Sequence, residues 1–192
     1  TMSHLGRSFV ALFLGTIAFF ILDFAKNVYV PMFYAFDVGL HATMATLLLS
    51  FTSWIEVPAT ILFGTLSDRI GRVKVVLTGY LLSVAFMVTN MWVGGIELAM
   101  VAMGIYGLVW GAFSGATSAL ASELVAEENR GLAMGLLNSA ASFASILAPL
   151  AIGASIQLAG YRMSFGAMAL LMLLFSLVVS LGVKGANRAN AR

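Results

Sequence analysis

The sequence predicts an all-α membrane protein: a bundle of six transmembrane helices arranged as two inverted sets of three. Three observations predict it. Of the 192 residues, 61% are hydrophobic and 9% are charged, whereas a water-soluble domain carries about 25% charge to cover its surface. The apolar residues fall into six runs close to the roughly 20 residues that a hydrocarbon core demands. The ten lysines and arginines collect mostly in the gaps between runs. There is no cysteine, so disulfides, thiol nucleophiles and thiolate metal sites are excluded. A net charge of +2 gives no ground for nucleic-acid binding.

The first helix is expected over about 8–31. Arg7 and the apolar run behind it look like the start of a signal peptide, but no small-residue cleavage site follows and the run is too long, so it reads as a helix. This helix contains LDFAKNVY, residues 22–29. Asp23 and Lys26 are three apart and Asp23 and Asn27 four apart, which places all three on one helix face. A charge inside a bilayer costs at least ~2.5 kcal/mol, so it calls for a partner or a role. The three residues are the strongest candidate substrate or proton site. The plainer alternative is a self-neutralising pair, with Lys26 reaching toward water.

The second helix is expected over 42–66. It carries Glu56 with no partner in its own sequence neighbourhood, two residues before Pro58, which frees a carbonyl and can kink the helix. Such a carboxylate is a candidate proton carrier. The third helix is expected over 73–91 and the fourth over 96–121. In the fourth, Gly107, Gly111 and Gly115 recur every four residues and give a smooth stripe for close helix packing. The fifth helix, 132–158, places Asn138, Ser142 and Ser145 on one face that can line a cavity, although such serines often bond their own backbone. Pro149 is expected to bend it. The sixth helix is expected over 163–183. With short connections, residues 1–192 form one domain.

Orientation follows from the basic residues. Arg7, Arg69, Arg72, Lys74, Arg130, Lys184, Arg188 and Arg192 share one side, eight of the ten, and that side is expected to be cytoplasmic together with both termini. A repeat at an offset of 89 residues aligns Gly15 with Gly104, Ser50 with Ser139, Gly64 with Gly153 and Gly71 with Gly160. Three helices per copy invert the second copy, a pattern typical of carriers.

The junction of helices 2 and 3 reads GTLSDRIGRVK, residues 64–74. Asp68 and Arg72 are spaced to pair across one helical turn, Asp68 can face a helix N-terminus, and Gly71 permits a tight turn. Gly64, Leu66, Asp68, Arg69, Gly71 and Arg72 fill the fixed positions of the signature loop G-x-L-x-D-R-x-G-R, and in this the chain resembles the major facilitator superfamily. A second stretch, SELVAEENRGLAMG at 122–135, resembles that family's helix 4–5 loop through Glu123, Glu127, Arg130, Gly131, Ala133 and Gly135. GYRMSF at 160–165 resembles the start of a sixth or twelfth helix. The resemblance implies a gate on the cytoplasmic side made by Gly64, Asp68, Arg69, Gly71, Arg72, Glu123 and Arg130, with Glu123 close to Arg72. Carriers of this family have twelve helices, so it also implies that this chain corresponds to one half. Met103 stands where proton-driven drug antiporters carry an arginine. Of their helix 5 motif, Pro149 and Gly153 remain, while Ala144, Ala148 and Ile152 depart. The absent arginine, GYRMSF and the basic tail point to a C-terminal half, while the intact signature loop points to an N-terminal one.

The expected function is therefore half of a secondary active transporter, moving a small solute by alternating access with ion or proton coupling. It is completed by a second six-helix unit: the other half, a separate chain or a second copy. The expected setting is a prokaryotic cytoplasmic membrane, with the lipid bilayer and a small-molecule substrate as partners. The alternative is a non-transporting membrane subunit in which Asp23 and Glu56 are interface residues. Neither an enzyme nor a cofactor is expected. His4 and His41 fall near helix ends where neither can activate Ser114, and no cluster with metal-ligand spacing occurs.

Overall fold

The computed structural model describes residues 6–189, with side chains through Val183. His4 and the tail bases Lys184, Arg188 and Arg192 lie outside the described side chains. α1 (Arg7–Phe24) passes through a π-turn (Ala25–Tyr29) into α2 (Val30–Phe36). The sequence expectation ended this helix at residue 31. Proline is tolerated at the start of a helical segment, and Pro31 occupies the first turn of α2. The preceding π-turn lets the ladder bypass the missing proline N–H, so the rod continues to Phe36.

α3 (Ala42–Ile70) follows, entered through the His41 imidazole, whose Nδ1 accepts from the Thr43 N–H at 3.3 Å. α3 outruns its predicted end at 66, so Asp68 and Arg69 lie in its last turn. The single non-helical residue before α4 (Arg72–Trp92) is Gly71, at φ 98°, a left-handed conformation that glycine adopts without steric cost. α5 (Ile96–Glu123) leads through a short 3₁₀ turn (Glu127–Asn129) to α6 (Arg130–Ala189).

Among the described residues, five helical stretches are long and apolar enough to cross a membrane. α6 has 60 residues, about 90 Å at 1.5 Å per residue, far beyond one bilayer core. It is broken at Gly160, with φ 78° and ψ 171°. The Ser155 hydroxyl donates to Ser164 across that break at 2.8 Å. Beyond it the chain runs back until the Gly182 carbonyl accepts from the Ser8 hydroxyl at 2.7 Å. The non-helical residue in α6 is Gly160, whose left-handed backbone ends the helical ladder, and Pro149 lies within the helical stretch before it.

α1 lies against α6, α4 against α5 and α6, and α3 against α5. Buried aromatics fill the centre: Phe19 stacks on Phe113, and the Tyr34 hydroxyl donates to the Asn90 side chain at 2.7 Å. α3 sits at the edge. Its most apolar window is 17% buried, against 56% for the first span, and Trp54, Val57, Ile61 and Leu62 face outward.

Candidate functional site

The α3–α5 contact positions the centre of the site. A Cβ added to Gly107 would stand 2.6 Å from the Ile55 Cβ, and one on Gly111 would stand 2.5 Å from the Ala59 Cβ. The bare stripe of α5 therefore brings α3 to backbone distance. Ile55 and Ala59 bracket Glu56, so this contact aims the carboxylate. At Gly115 the approach is looser: a Cβ there would lie 3.4 Å from Gly64. Nothing lies within 4 Å of the Cβ position of Gly64 itself, so the close approach depends on the α5 glycines more than on Gly64.

Three helices meet at this point. Lys26, buried in the π-turn, places its ammonium 3.6 Å from the Glu56 carboxylate, the two side chains being 7% and 21% exposed. The same ammonium lies 4.6 Å from the centre of the Tyr106 ring on α5, a cation–π contact. The Tyr106 hydroxyl donates to Asp23 Oδ1. The Asn27 amide nitrogen donates to the Asp23 carbonyl at 2.9 Å, and its side chain is exposed. The i, i+3 spacing of Asp23 and Lys26 suggests a pair with each other. Instead each turns to another helix, Asp23 to Tyr106 on α5 and Lys26 to Glu56 on α3. Glu56, solitary in the sequence, is the counter-ion. Sequence reasoning missed Tyr106; its sole signal was a polar group in the glycine-rich helix. Beside Glu56 on the outer face, Ser53, Trp54, Val57 and Pro58 line a shallow depression of about 360 Å³.

The signature loop forms a second cluster at one end of the bundle. The Arg72 guanidinium reaches the Glu123 carboxylate at 2.8 Å, the Ala119 carbonyl at 3.2 Å and Asp68 at 3.7 Å, joining the ends of α3, α4 and α5. Arg72 thus places its charge and a donor near the C-terminal end of α5, where the helix dipole favours a cation. Arg130 pairs with Glu127 at 3.5 Å on the surface, and Arg69 is exposed and makes no ion pair among the described residues.

Arg162, two residues past the Gly160 break, makes the corresponding cluster at the other end. It donates to the Met91 and Val93 carbonyls at 2.6 and 2.9 Å, lies 4.0 Å from Asp37, and covers the Phe33 ring. Asn138 and Ser142 lie exposed on α6, outside the Asp23–Lys26–Glu56 network. The Tyr29 hydroxyl donates to the Pro149 carbonyl at 3.1 Å, which ties the π-turn to α6.

Comparison with known proteins agrees with this architecture. The model of the family described as the Major Facilitator Superfamily matches residues 12–191. Among solved structures, a peptide transporter POT in complex with sulfate superposes with a TM-score of 0.74 at 21% identity, covering 91% of this chain and 36% of the other. A point mutant of a peptide transporter POT in complex with alafosfalin gives 0.75 at 22%, covering 93% and 38%. The chain thus spans a little over a third of the length of the solved structures it matches. At these identities the likeness concerns the fold. No curated protein matches the chain significantly.

Proposed function

Because this chain belongs to the Major Facilitator Superfamily, a family of carriers and not of enzymes, and is an integral multi-pass membrane protein, we propose that it is half of a secondary active transporter. It moves a small solute by alternating access and is completed by a second six-helix unit. The observation that carries this reading is the network of Asp23, Lys26, Glu56 and Tyr106 on three apolar helices. Buried charge in a bilayer marks a solute or ion pathway, and Asp23 and Glu56 are the groups on which coupling to a proton or ion would act.

The break in α6 supports counting six crossings in one domain, 1–192. Gly71 and Gly160 stand 89 residues apart, both with positive φ, and an arginine binds helix-end carbonyls just beyond each. That correspondence at opposite ends supports the inverted three-plus-three repeat. Arg72, Asp68 and Glu123, with Gly64, Arg69, Gly71 and Arg130 around them, form the gate at the end assigned to the cytoplasm by the positive-inside rule; both termini lie there, in a prokaryotic cytoplasmic membrane. The outward apolar face of α3 and the exposed Asn138 and Ser142 of α6 belong to the side that meets the second unit and the cavity. The unit itself is the other half, a separate chain or a second copy.

The test is flux. The chain and its completing unit are reconstituted in proteoliposomes and supplied with a mixture of small metabolites, and uptake is read by mass spectrometry. At least one solute should accumulate, and Asp23→Asn should abolish it without unfolding the protein. A stable complex that moves nothing would reject the carrier reading and leave a non-transporting subunit.

A further inference from the structure

We propose that the network between α1, α3 and α5 receives a ligand carrying an ammonium group, with Asp23 as its counter-ion and Asn27 beside it. This rests on reading the network as the solute site. Away from the helix ends and the Gly160 break, three charged side chains occur on the described long helices: Asp23, Lys26 and Glu56. With both carboxyls ionised, one cation faces two anions. In water the imbalance would matter little. In a bilayer an uncompensated charge is costly, so the site is complete when one more positive charge enters.

The geometry identifies the carboxylate that lacks a counter-ion. Lys26 is committed: Glu56 takes its charge at 3.6 Å and the Tyr106 ring covers it at 4.6 Å. Asp23 receives a neutral phenol hydroxyl on Oδ1 and makes no ion pair among the described residues. The Asn27 amide nitrogen is engaged with the Asp23 carbonyl, which leaves its Oδ1 as an acceptor. The atoms still available, Asp23 Oδ2 and Asn27 Oδ1, both accept hydrogen bonds. An ammonium group brings donors and charge together. An anionic ligand would instead compete with Glu56 for Lys26 while facing an unmatched Asp23. Asp23 is half-buried and Asn27 exposed, so the route of approach lies along that face of the first helix.

Two probes with the same apolar body and opposite charge test this: phenethylammonium and hydrocinnamate, titrated into the chain in lipid nanodiscs. Binding is followed by the rise in melting temperature and by saturation-transfer NMR. Phenethylammonium should bind and hydrocinnamate should not. Asp23→Asn, which keeps an oxygen for Tyr106, should weaken ammonium binding by about tenfold or more. The double variant Lys26→Met/Glu56→Gln, which leaves no unpaired charge behind, should retain it. Tighter binding of hydrocinnamate, loss of ammonium binding in that folded double variant, or unchanged affinity in Asp23→Asn would each overturn the assignment. So would a wild-type chain that binds neither probe and whose melting temperature Asp23→Asn leaves unchanged, the result expected if a proton fills the place. Ammonium binding without flux in proteoliposomes would leave this site standing and reject the carrier reading.

Discussion

At the scale of single residues, the Lys26–Glu56 pair illustrates how costly membrane charges hold each other. Each is tolerated in an apolar helix because the other stands 3.6 Å away. Removing one partner of a buried pair typically costs about 3–5 kcal/mol, while replacing both by apolar or neutral groups costs much less. Glu56→Gln should therefore lower the melting temperature sharply. The double variant Lys26→Met/Glu56→Gln should recover most of the loss, and a double-mutant cycle read by thermal melting checks the coupling. Simple additivity of the two losses would show that the pair is not formed. Tyr106→Phe removes the hydroxyl on Asp23 and leaves the ring over Lys26. It should cost about 1.5–3 kcal/mol, the range for a hydrogen bond to a charged group, measured in the same melts.

At the scale of elements, two contacts decide the architecture: the close approach of α3 to α5, and the arginine at each end of the bundle. A Cβ at Gly111 would stand 2.6 Å from the Ala59 backbone carbonyl carbon, which cannot yield as a flexible side chain would. Gly111→Val should force the helices apart and cost at least the ~1–3 kcal/mol of an overpacked core. Gly64→Ala, with open space at its Cβ position, should leave the melting temperature nearly unchanged. The opposite order would mean that the helices meet along another line. Arg162 satisfies carbonyls at the end of α4 and spans to Asp37 at the end of the first span. Arg162→Ala leaves those carbonyls without donors, and amide exchange should rise around residues 91–93 more than around Ala119, where Arg72 remains in place.

At the scale of the whole molecule, an edge helix with Trp54 and Val57 turned outward faces either lipid or a second unit. Extraction in mild detergent followed by native mass measurement should find the chain paired with one further six-helix unit. A lone monomer of 20.3 kDa would remove the basis for a central cavity and, with it, the carrier reading.

What the sequence determined by itself is whatever follows from composition and spacing. Too little charge for water, apolar runs of membrane length, basic gaps and the GTLSDRIGRVK junction sufficed for a helical membrane protein of the facilitator type, because a bilayer admits few backbone arrangements. The glycine stripe on α5 was legible for the same reason: periodicity shows a face. Partners across the bundle were not legible. Periodicity shows that Asp23 and Lys26 share a face, but their partners, Tyr106 and Glu56, lie on α5 and α3, eighty-three and thirty residues away in the chain respectively. The role of Arg162 was hidden likewise, since its carbonyl acceptors lie about seventy residues earlier in the chain. The tertiary structure decided which charges meet, because long-range contacts leave no local pattern to read.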